Sequence, residues 1–117
     1  MAAPNLEIYV EKEGAVTVVT LDGPVDSATF DQFKETLDPI CKAPGSRVVL
    51  DCHKLTYINS KGIGLLASHH RNSLMHLGSM HLCGLNTKIV KTMDLLGLGK
   101  RLKLFDTREE ALAAMPK

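Results

Sequence analysis

The 117-residue chain has the length of one globular domain, with 44% apolar and 23% charged side chains. A domain of this size buries enough surface to fold without disulfides or a structural metal. Fourteen basic and thirteen acidic residues leave a formal net charge of +1, without the basic excess typical of nucleic-acid binding. The first residues lack a signal-peptide pattern, and no apolar run approaches the ~20 residues of a membrane span. We therefore expect one cytoplasmic domain over residues 1–117, with residues 1–5 flexible and with no nucleic-acid or membrane partner.

The cysteines and histidines do not indicate a metal site. Cys41, Cys52 and Cys83 are odd in number and widely spaced, which favours buried free thiols over a disulfide framework or a zinc site. The three histidines within residues 69–76 lack the HxxxH spacing of a helical metal pair. No metal and no cofactor is expected.

The first elements in chain order are two strands and a helix. Leu6 to Glu11 alternates apolar and mostly polar residues, and Val16 to Leu21 is rich in β-branched residues, so the two predict a hairpin. Asp22-Gly23-Pro24 is expected to end the second strand. A helix is predicted from Ser27 to about Lys42, with a kink or an early end at Pro39 because proline is unfavourable inside a helix. Its apolar positions are Phe30, Phe33, Leu37 and Ile40.

The middle of the chain predicts a buried strand, a loop and a second helix. Val48-Val49-Leu50 is a short apolar run of the kind found in central strands, and it is expected to end at Asp51. A loop from Cys52 to Ser60 follows. Apolar residues then recur at helical spacing, and Gly78 stands where glycine commonly follows a helix. This apolar face comprises Ile63, Leu66, His70, Leu74 and Leu77.

The last third predicts two more strands and two more helices. Met80 to Cys83 is apolar enough for a strand, and Asn86 is a good N-cap for a helix that Gly97 would end. Arg101 to Phe105 fits a short final strand. The sequence from Thr107 to Glu110 is a capping box that opens a final helix. The expected buried residues of these two helices are Ile89, Val90, Met93 and Leu96, then Ala111, Leu112 and Met115.

This order of elements predicts a small α/β domain with a mixed, mostly parallel sheet of four or five strands and about four helices. Parallel strands need crossover helices, and the first hairpin supplies the antiparallel member. Loops beyond the carboxyl ends of such strands carry most ligand and partner contacts. We expect three of them, at 22–26, 52–60 and 84–86, to converge at one rim.

The loop at 52–60 leads into the most unusual local sequence, Tyr57 to Gly64. Gly62 and Gly64 stand in the first turn of a predicted helix, where each costs ~1 kcal/mol relative to alanine, so packing or close approach of another backbone is expected to require them. Ser60 is placed to cap the helix. Free N–H groups at a helix start also favour a negative group such as a phosphate.

Five segments in order make the chain resemble the STAS domains of bacterial anti-sigma-factor antagonists. The resemblance covers nearly the whole chain. The matching segments are Leu21-Asp22-Gly23-Pro24-Val25-Asp26, Val48-Val49-Leu50-Asp51, Ile58 to Leu66, Leu82-Cys83-Gly84-Leu85-Asn86 and Leu96-Gly97-Leu98.

The resemblance implies a non-enzymatic regulator that binds a protein kinase, which is also the anti-sigma factor. Ser60 aligns with the serine that accepts phosphate, and ATP would be bound by the kinase. The unphosphorylated antagonist binds the kinase and frees the sigma factor, and the phosphorylated one releases it. The residues implied at the partner surface are Asp26, Asn59, Ser60, Lys61, Gly62 and Gly64. The family usually has an aspartate before its serine and a small residue after it, where this chain has Asn59 and Lys61.

Two other interpretations start from the same segment. A scaffold or accessory subunit of a signalling or transport complex would use the same rim without phosphorylation, and Asn59 favours it. A hydrolase with Ser60 as nucleophile is disfavoured, because Ile58 stands where the strand–turn–helix elbow needs glycine and no His–acid pair is indicated. The sequence does not determine the oligomeric state.

Overall fold

The computed structural model describes residues 5–116, which form five strands and four helices. The expectation for residues 1–5 lies outside the described residues except at Asn5. The strands are β1 (Glu7–Glu13), β2 (Val16–Val25), β3 (Arg47–Ile58), β4 (Ser79–Cys83) and β5 (Lys103–Phe105), and the helices are α1 (Phe30–Cys41), α2 (Ser60–Met75), α3 (Thr87–Leu95) and α4 (Arg108–Ala113).

One five-stranded sheet has the strand order β1-β2-β3-β4-β5. The β1–β2 pair is antiparallel and the three others are parallel, which confirms the predicted mixed, mostly parallel α/β architecture. Helices α1, α2 and α3 cover one face, where Phe33, Leu50 and Leu66 belong to the main core. Helix α4 covers the other face through Ala111, against Val49.

Strands β2 and β3 run further than predicted. The expected stop at Asp22-Gly23-Pro24 is wrong, because β2 continues to Val25 through register shifts against β3. Gly23 has φ +117°, and a Cβ there would lie 2.3 Å from the Asn5 carbonyl oxygen, so the glycine permits an irregularity that keeps the strand in the sheet. The predicted loop at 52–60 is likewise mostly strand, since β3 extends to Ile58.

Helix α1 does not end at Pro39. It continues to Cys41, since Phe33, Leu37 and Cys41 are buried on its core face and tertiary packing offsets one missing backbone hydrogen bond.

The C-terminal part of α2 departs from the predicted apolar face. His69, His70 and Ser73 are buried, whereas Leu74 and Leu77 are 57% and 93% exposed. Leu77, rather than Gly78, takes the left-handed conformation after the helix, with φ +61°. Gly78 is needed for a different reason, because a Cβ there would lie 2.5 Å from the Ser46 carbonyl oxygen.

The ends of α3 and α4 agree with their predicted signals. Asn86 Oδ1 accepts the Ile89 N–H at 2.8 Å, and Gly97 follows α3 with φ +74°. Thr107 Oγ1 accepts the Glu110 N–H at 3.1 Å. Leu96 is wrong as a core residue, since it is 51% exposed at the C-cap of α3.

Cys41, Cys52 and Cys83 are free and buried, as predicted. Burial raises the pKa of Cys41 to about 12, so its thiol stays protonated. Within residues 5–116 no helix combines the length and apolar character needed to cross a bilayer.

Candidate functional site

The rim at the carboxyl ends of β2 and β3 brings two predicted loops together. Val25 and Ile58 are paired at the ends of these parallel strands. The Asn59 N–H donates to the Val25 carbonyl at 2.9 Å, which joins the start of α2 to the loop that carries Asp26. The expected convergence of these two loops is confirmed, and Ser60 is adjacent to the junction.

Asn59, not Ser60, caps α2. Its Oδ1 accepts the Gly62 N–H at 2.9 Å, and its backbone is extended with ψ 175°. The expectation that Ser60 is the cap is therefore wrong: Ser60 is the first helical residue and its side chain is exposed. The hydroxyl group is consequently free of a capping role and accessible at the positive end of the α2 dipole.

Asp26 organises the loop that precedes α1. Its half-buried carboxylate accepts from the Ala28 N–H at 2.9 Å and from the Thr29 N–H at 3.1 Å through Oδ1. The Thr29 hydroxyl in turn donates to the Pro24 carbonyl at 2.8 Å. Asp26 thus fixes the shape of this part of the rim in addition to placing a negative charge there.

Lys61 connects the same two loops through its side chain. Its Nζ lies 4.4 Å from the centroid of the Phe30 ring, at the first residue of α1. A cation over an aromatic face is attracted by the ring quadrupole. The contact holds a positive charge on the residue next to Ser60.

The two glycines of the first turns of α2 differ in what requires them. A Cβ on Gly62 would lie 2.6 Å from Ile58 Cγ1 and 2.9 Å from Val25 Cγ1, so Gly62 is buried for packing within the chain. Gly64 is exposed, and a Cβ there would have no atom within 4 Å among the described residues. Of the two, Gly64 is the one open to a partner.

A groove that the sequence did not predict lies beside Ser60. The cavity has a volume of about 160 Å³ and is lined by Ser60 and Tyr57 on one side and by Lys88 and Thr92 of α3 on the other. The third predicted loop, at 84–86, therefore contributes to the site indirectly, because the helix that follows it, α3, lines the groove. The signal available was the Asn86 cap, which places Lys88 in the first turn of α3.

The middle of β3 carries a polar cluster on the sheet face that α4 covers. Asp51 Oδ1 is 2.6 Å from His53 Nδ1, and Asp51 Oδ2 accepts from Arg108 Nε at 3.0 Å. Burial raises the pKa of Asp51, but the hydrogen bonds from His53 and Arg108 outweigh it and leave the pKa below its usual value. Cys83 lies close enough for these side chains to form a three-ligand group. The Arg108 guanidinium on the same carboxylate opposes a cation, so we assign the cluster to anchoring α4.

Comparisons with known proteins agree on one family. The model of the STAS domain family matches residues 7–111. An anti-sigma F factor antagonist of Paenibacillus polymyxa is 27% identical over 112 residues, which cover 95% of this chain and 96% of that protein.

Two solved structures share the fold. An anti-sigma factor antagonist from Mycobacterium paratuberculosis superposes with a TM-score of 0.84 at 23% identity and covers 98% of both chains. The Bacillus cell fate determinant SpoIIAA in its phosphorylated form has a TM-score of 0.71 at 20% identity and covers 92% of this chain and 97% of that one.

Proposed function

This chain belongs to the STAS domain family, and on that premise we propose that it is an anti-sigma factor antagonist regulated by phosphorylation of Ser60. Its partner in this proposal is an anti-sigma factor that is also a serine protein kinase. The unphosphorylated chain binds the kinase and frees the sigma factor, and the phosphorylated chain releases it. The similarity to a curated anti-sigma F factor antagonist over 95% of the chain supports this class of function.

The observation that carries the proposal is the exposed Ser60 hydroxyl at the first residue of α2, released from capping by Asn59. A phosphoacceptor must be accessible to the kinase, and a hydroxyl that makes no cap can be modified without the loss of a capping hydrogen bond. The N–H groups at a helix start also stabilise a phosphate once it is attached.

In this proposal the partner kinase supplies the catalytic groups for phosphoryl transfer to Ser60. The Ser60 oxygen attacks the γ-phosphorus of ATP, the bond to the ADP oxygen breaks, and the hydroxyl proton passes to a base of the kinase. This chain contributes the acceptor and the surface that positions it. No catalytic role in this chain is needed.

Phosphorylation acts locally because the overall charge changes little. A phosphate adds about −1.5 to −2 charge and three acceptor oxygens, which takes the net charge of +1 to roughly −0.5 to −1. The added charge falls on the rim formed by Asp26, Asn59 and Lys61. In an interface it must be desolvated, and a cost of about 3 kcal/mol weakens binding roughly a hundredfold.

Mass spectrometry tests the phosphorylation directly. The full chain is incubated with ATP and the anti-sigma factor kinase encoded in the same genome. We expect one phosphate, on Ser60, and none on the Ser60→Ala variant. Ser68 is an internal control, since it is an exposed serine two turns further along α2. An unmodified Ser60 under conditions in which the kinase phosphorylates a generic substrate would overturn the proposal.

Binding measurements test the switch. Ser60→Asp should weaken the complex with the anti-sigma factor at least tenfold, and Ser60→Ala should bind like the native chain. Ser68→Asp places the same charge on the same helix away from the rim and should bind normally. Equal binding by all three variants would contradict the switch.

A second candidate function retains the partner surface without the modification. A scaffold or accessory subunit would bind through the same rim, and Asn59 favours it because the family usually has an aspartate there. In this case Ser60 stays unmodified in the kinase assay, while Gly64→Arg still abolishes binding of the partner.

A further inference from the structure

A second cavity lies between the middle of α2 and the segment that joins α3 to β5. Its volume is about 320 Å³, at the lower end of the ~300–1,000 Å³ typical of small-molecule sites. It begins at Ala67, seven residues after Ser60 and therefore about 10 Å further along α2 at 1.5 Å per residue. The groove at Ser60 is lined by other residues, so the two sites are separate.

Most of the lining is apolar. Ala67 and Leu74 contribute from α2, and Leu98 and Leu102 contribute from the segment after α3. Leu102 is buried, whereas Leu74 is 57% exposed although it stands at a position that the helical spacing predicts for the core. The apolar face of α2 thus continues into a cavity that no part of residues 5–116 fills.

Two arginines give the cavity a positive charge. Arg71 on α2 and Arg101 before β5 both line it and are exposed. Neither forms an ion pair with a carboxylate of residues 5–116. Guanidinium groups are suited to carboxylates because they present paired N–H donors.

His70 forms part of the cavity wall. It is buried, at 7% exposure, and lies between Ala67 and Arg71 among the lining residues. The charge available to a ligand therefore comes from the two arginines.

We propose that this cavity binds a small amphipathic anion, a carboxylate on a short unbranched apolar chain. The carboxylate pairs with Arg71 and Arg101. The apolar chain packs against Leu74, Leu98 and Leu102. The site does not depend on phosphorylation of Ser60 or on the anti-sigma factor.

Decanoate is the probe for the test, with the full native chain followed by ¹H–¹⁵N NMR. We expect saturable shifts confined to residues 67–74 and 98–102. Decyltrimethylammonium has the same apolar chain with a positive head and should produce none. Equal shifts with both amphiphiles, or no saturable shift with decanoate below its micelle concentration, would overturn the proposal.

Variants separate charge from apolar packing. Arg71→Glu with Arg101→Glu should weaken decanoate binding at least tenfold, whereas Lys54→Glu with Lys91→Glu makes the same charge change at exposed positions outside the cavity and should not. Ala67→Leu should weaken binding by filling the cavity without changing charge. Decanoate binding unaffected by either cavity variant would contradict the site.

Two further measurements distinguish other occupants. Sedimentation with vesicles of phosphatidylglycerol would show capture by an anionic bilayer, and analytical ultracentrifugation would show a second copy of the chain. Binding to vesicles that depends on Arg71 and Arg101 in the absence of decanoate binding, or dimerisation lost in Ala67→Leu, would overturn the small-anion proposal. We expect neither.

Discussion

Asn59 Oδ1 accepts the Gly62 N–H at 2.9 Å across the first turn of α2, and this bond leaves the intervening Ser60 without a capping function. The helix cap, Asn59, and the proposed phosphoacceptor, Ser60, are therefore adjacent residues with separate roles. Each can be changed without the other, which makes their contributions measurable.

Asn59→Ala should lower the free energy of unfolding by about 1 kcal/mol, the usual cost of losing an N-cap side chain. Ser60→Ala should change it by less than about 0.5 kcal/mol, since the Ser60 side chain is exposed and makes no cap. Urea denaturation of both variants checks the difference. A larger loss for Ser60→Ala than for Asn59→Ala would mean that Ser60 is the cap.

The two glycines of α2 should respond in opposite directions to alanine. Gly62→Ala places a Cβ 2.6 Å from Ile58 Cγ1, and such overpacking costs about 1 to 3 kcal/mol. Gly64→Ala meets open space and should stabilise the helix by up to ~1 kcal/mol. Thermal unfolding of the pair tests this, and a gain in stability for Gly62→Ala would refute the packing explanation.

Removal of Arg108 should release α4 from the sheet. Its guanidinium binds Asp51 and reaches Glu11 at 2.9 Å and Thr20 at 3.1 Å. Arg108→Ala leaves the buried Asp51 carboxylate without its cation, which costs about 1 to 3 kcal/mol. We expect Arg108→Ala to speed hydrogen exchange in residues 108–113 relative to the native chain, and to speed it more there than in α2. Lys91→Ala, at an exposed lysine of α3, is the control and should leave exchange unchanged.

The folded chain should lose stability as the pH falls below about 6.5, the ordinary pKa of histidine. Burial lowers the pKa of His69, His70 and His81 from the ordinary value of 6.5. The folded state then binds fewer protons than the unfolded state, so the stability contributed by these groups is present above pH 6.5 and declines as the pH falls through that value. Each group can contribute up to ~1.4 kcal/mol per pH unit.

The matched variants for that prediction are His81→Leu and His76→Gln. His81 is fully buried, so its replacement should flatten the dependence of unfolding free energy on pH. His76 is exposed, so His76→Gln serves as the matched histidine replacement at the surface. A native chain with a flat profile over this range would contradict the prediction.

Lys61 should stabilise the charged form of a phosphate on Ser60. A phosphoserine has a second pKa near ~6, and a neighbouring cation lowers it. In ³¹P NMR of the phosphorylated chain we expect Lys61→Met, which keeps the contact with Phe30 but removes the charge, to raise that pKa. Lys54→Met at a remote exposed position should not. An unchanged pKa in Lys61→Met would mean that Lys61 stays on Phe30.

Local sequence signals correctly predicted the helix ends that depend on a few neighbouring residues. The Asn86 cap, the capping box at Thr107 and the glycine after α3 involve contacts within one helical turn, and they are confirmed. The predicted end at Gly23 is wrong, because strand pairing with β3 outweighs the local preference of that residue. Helix α1 continues past Pro39 to Cys41, because core packing of α1 outweighs the local preference of proline.

The candidate site was also predicted only in part from the sequence. The order of elements placed the loops after β2 and β3 at one rim, since parallel neighbours bring their carboxyl ends together. The sequence did not identify Asn59 as the cap, because Asn59 and Ser60 are both good N-cap residues and one residue of difference depends on where β3 ends.

By itself the sequence determined the α/β class, the family resemblance and the segment that carries Ser60, because apolar periodicity, turn residues and motif order are properties of neighbouring positions. Only the tertiary structure decided that Ser60 is free, that Lys88 borders it, and that Leu74 and His70 line a cavity between Arg71 and Arg101. The groove and the cavity join residues far apart in the chain and follow from how the helices pack on the sheet, and the cap at Asn59 follows from where the pairing of β3 ends.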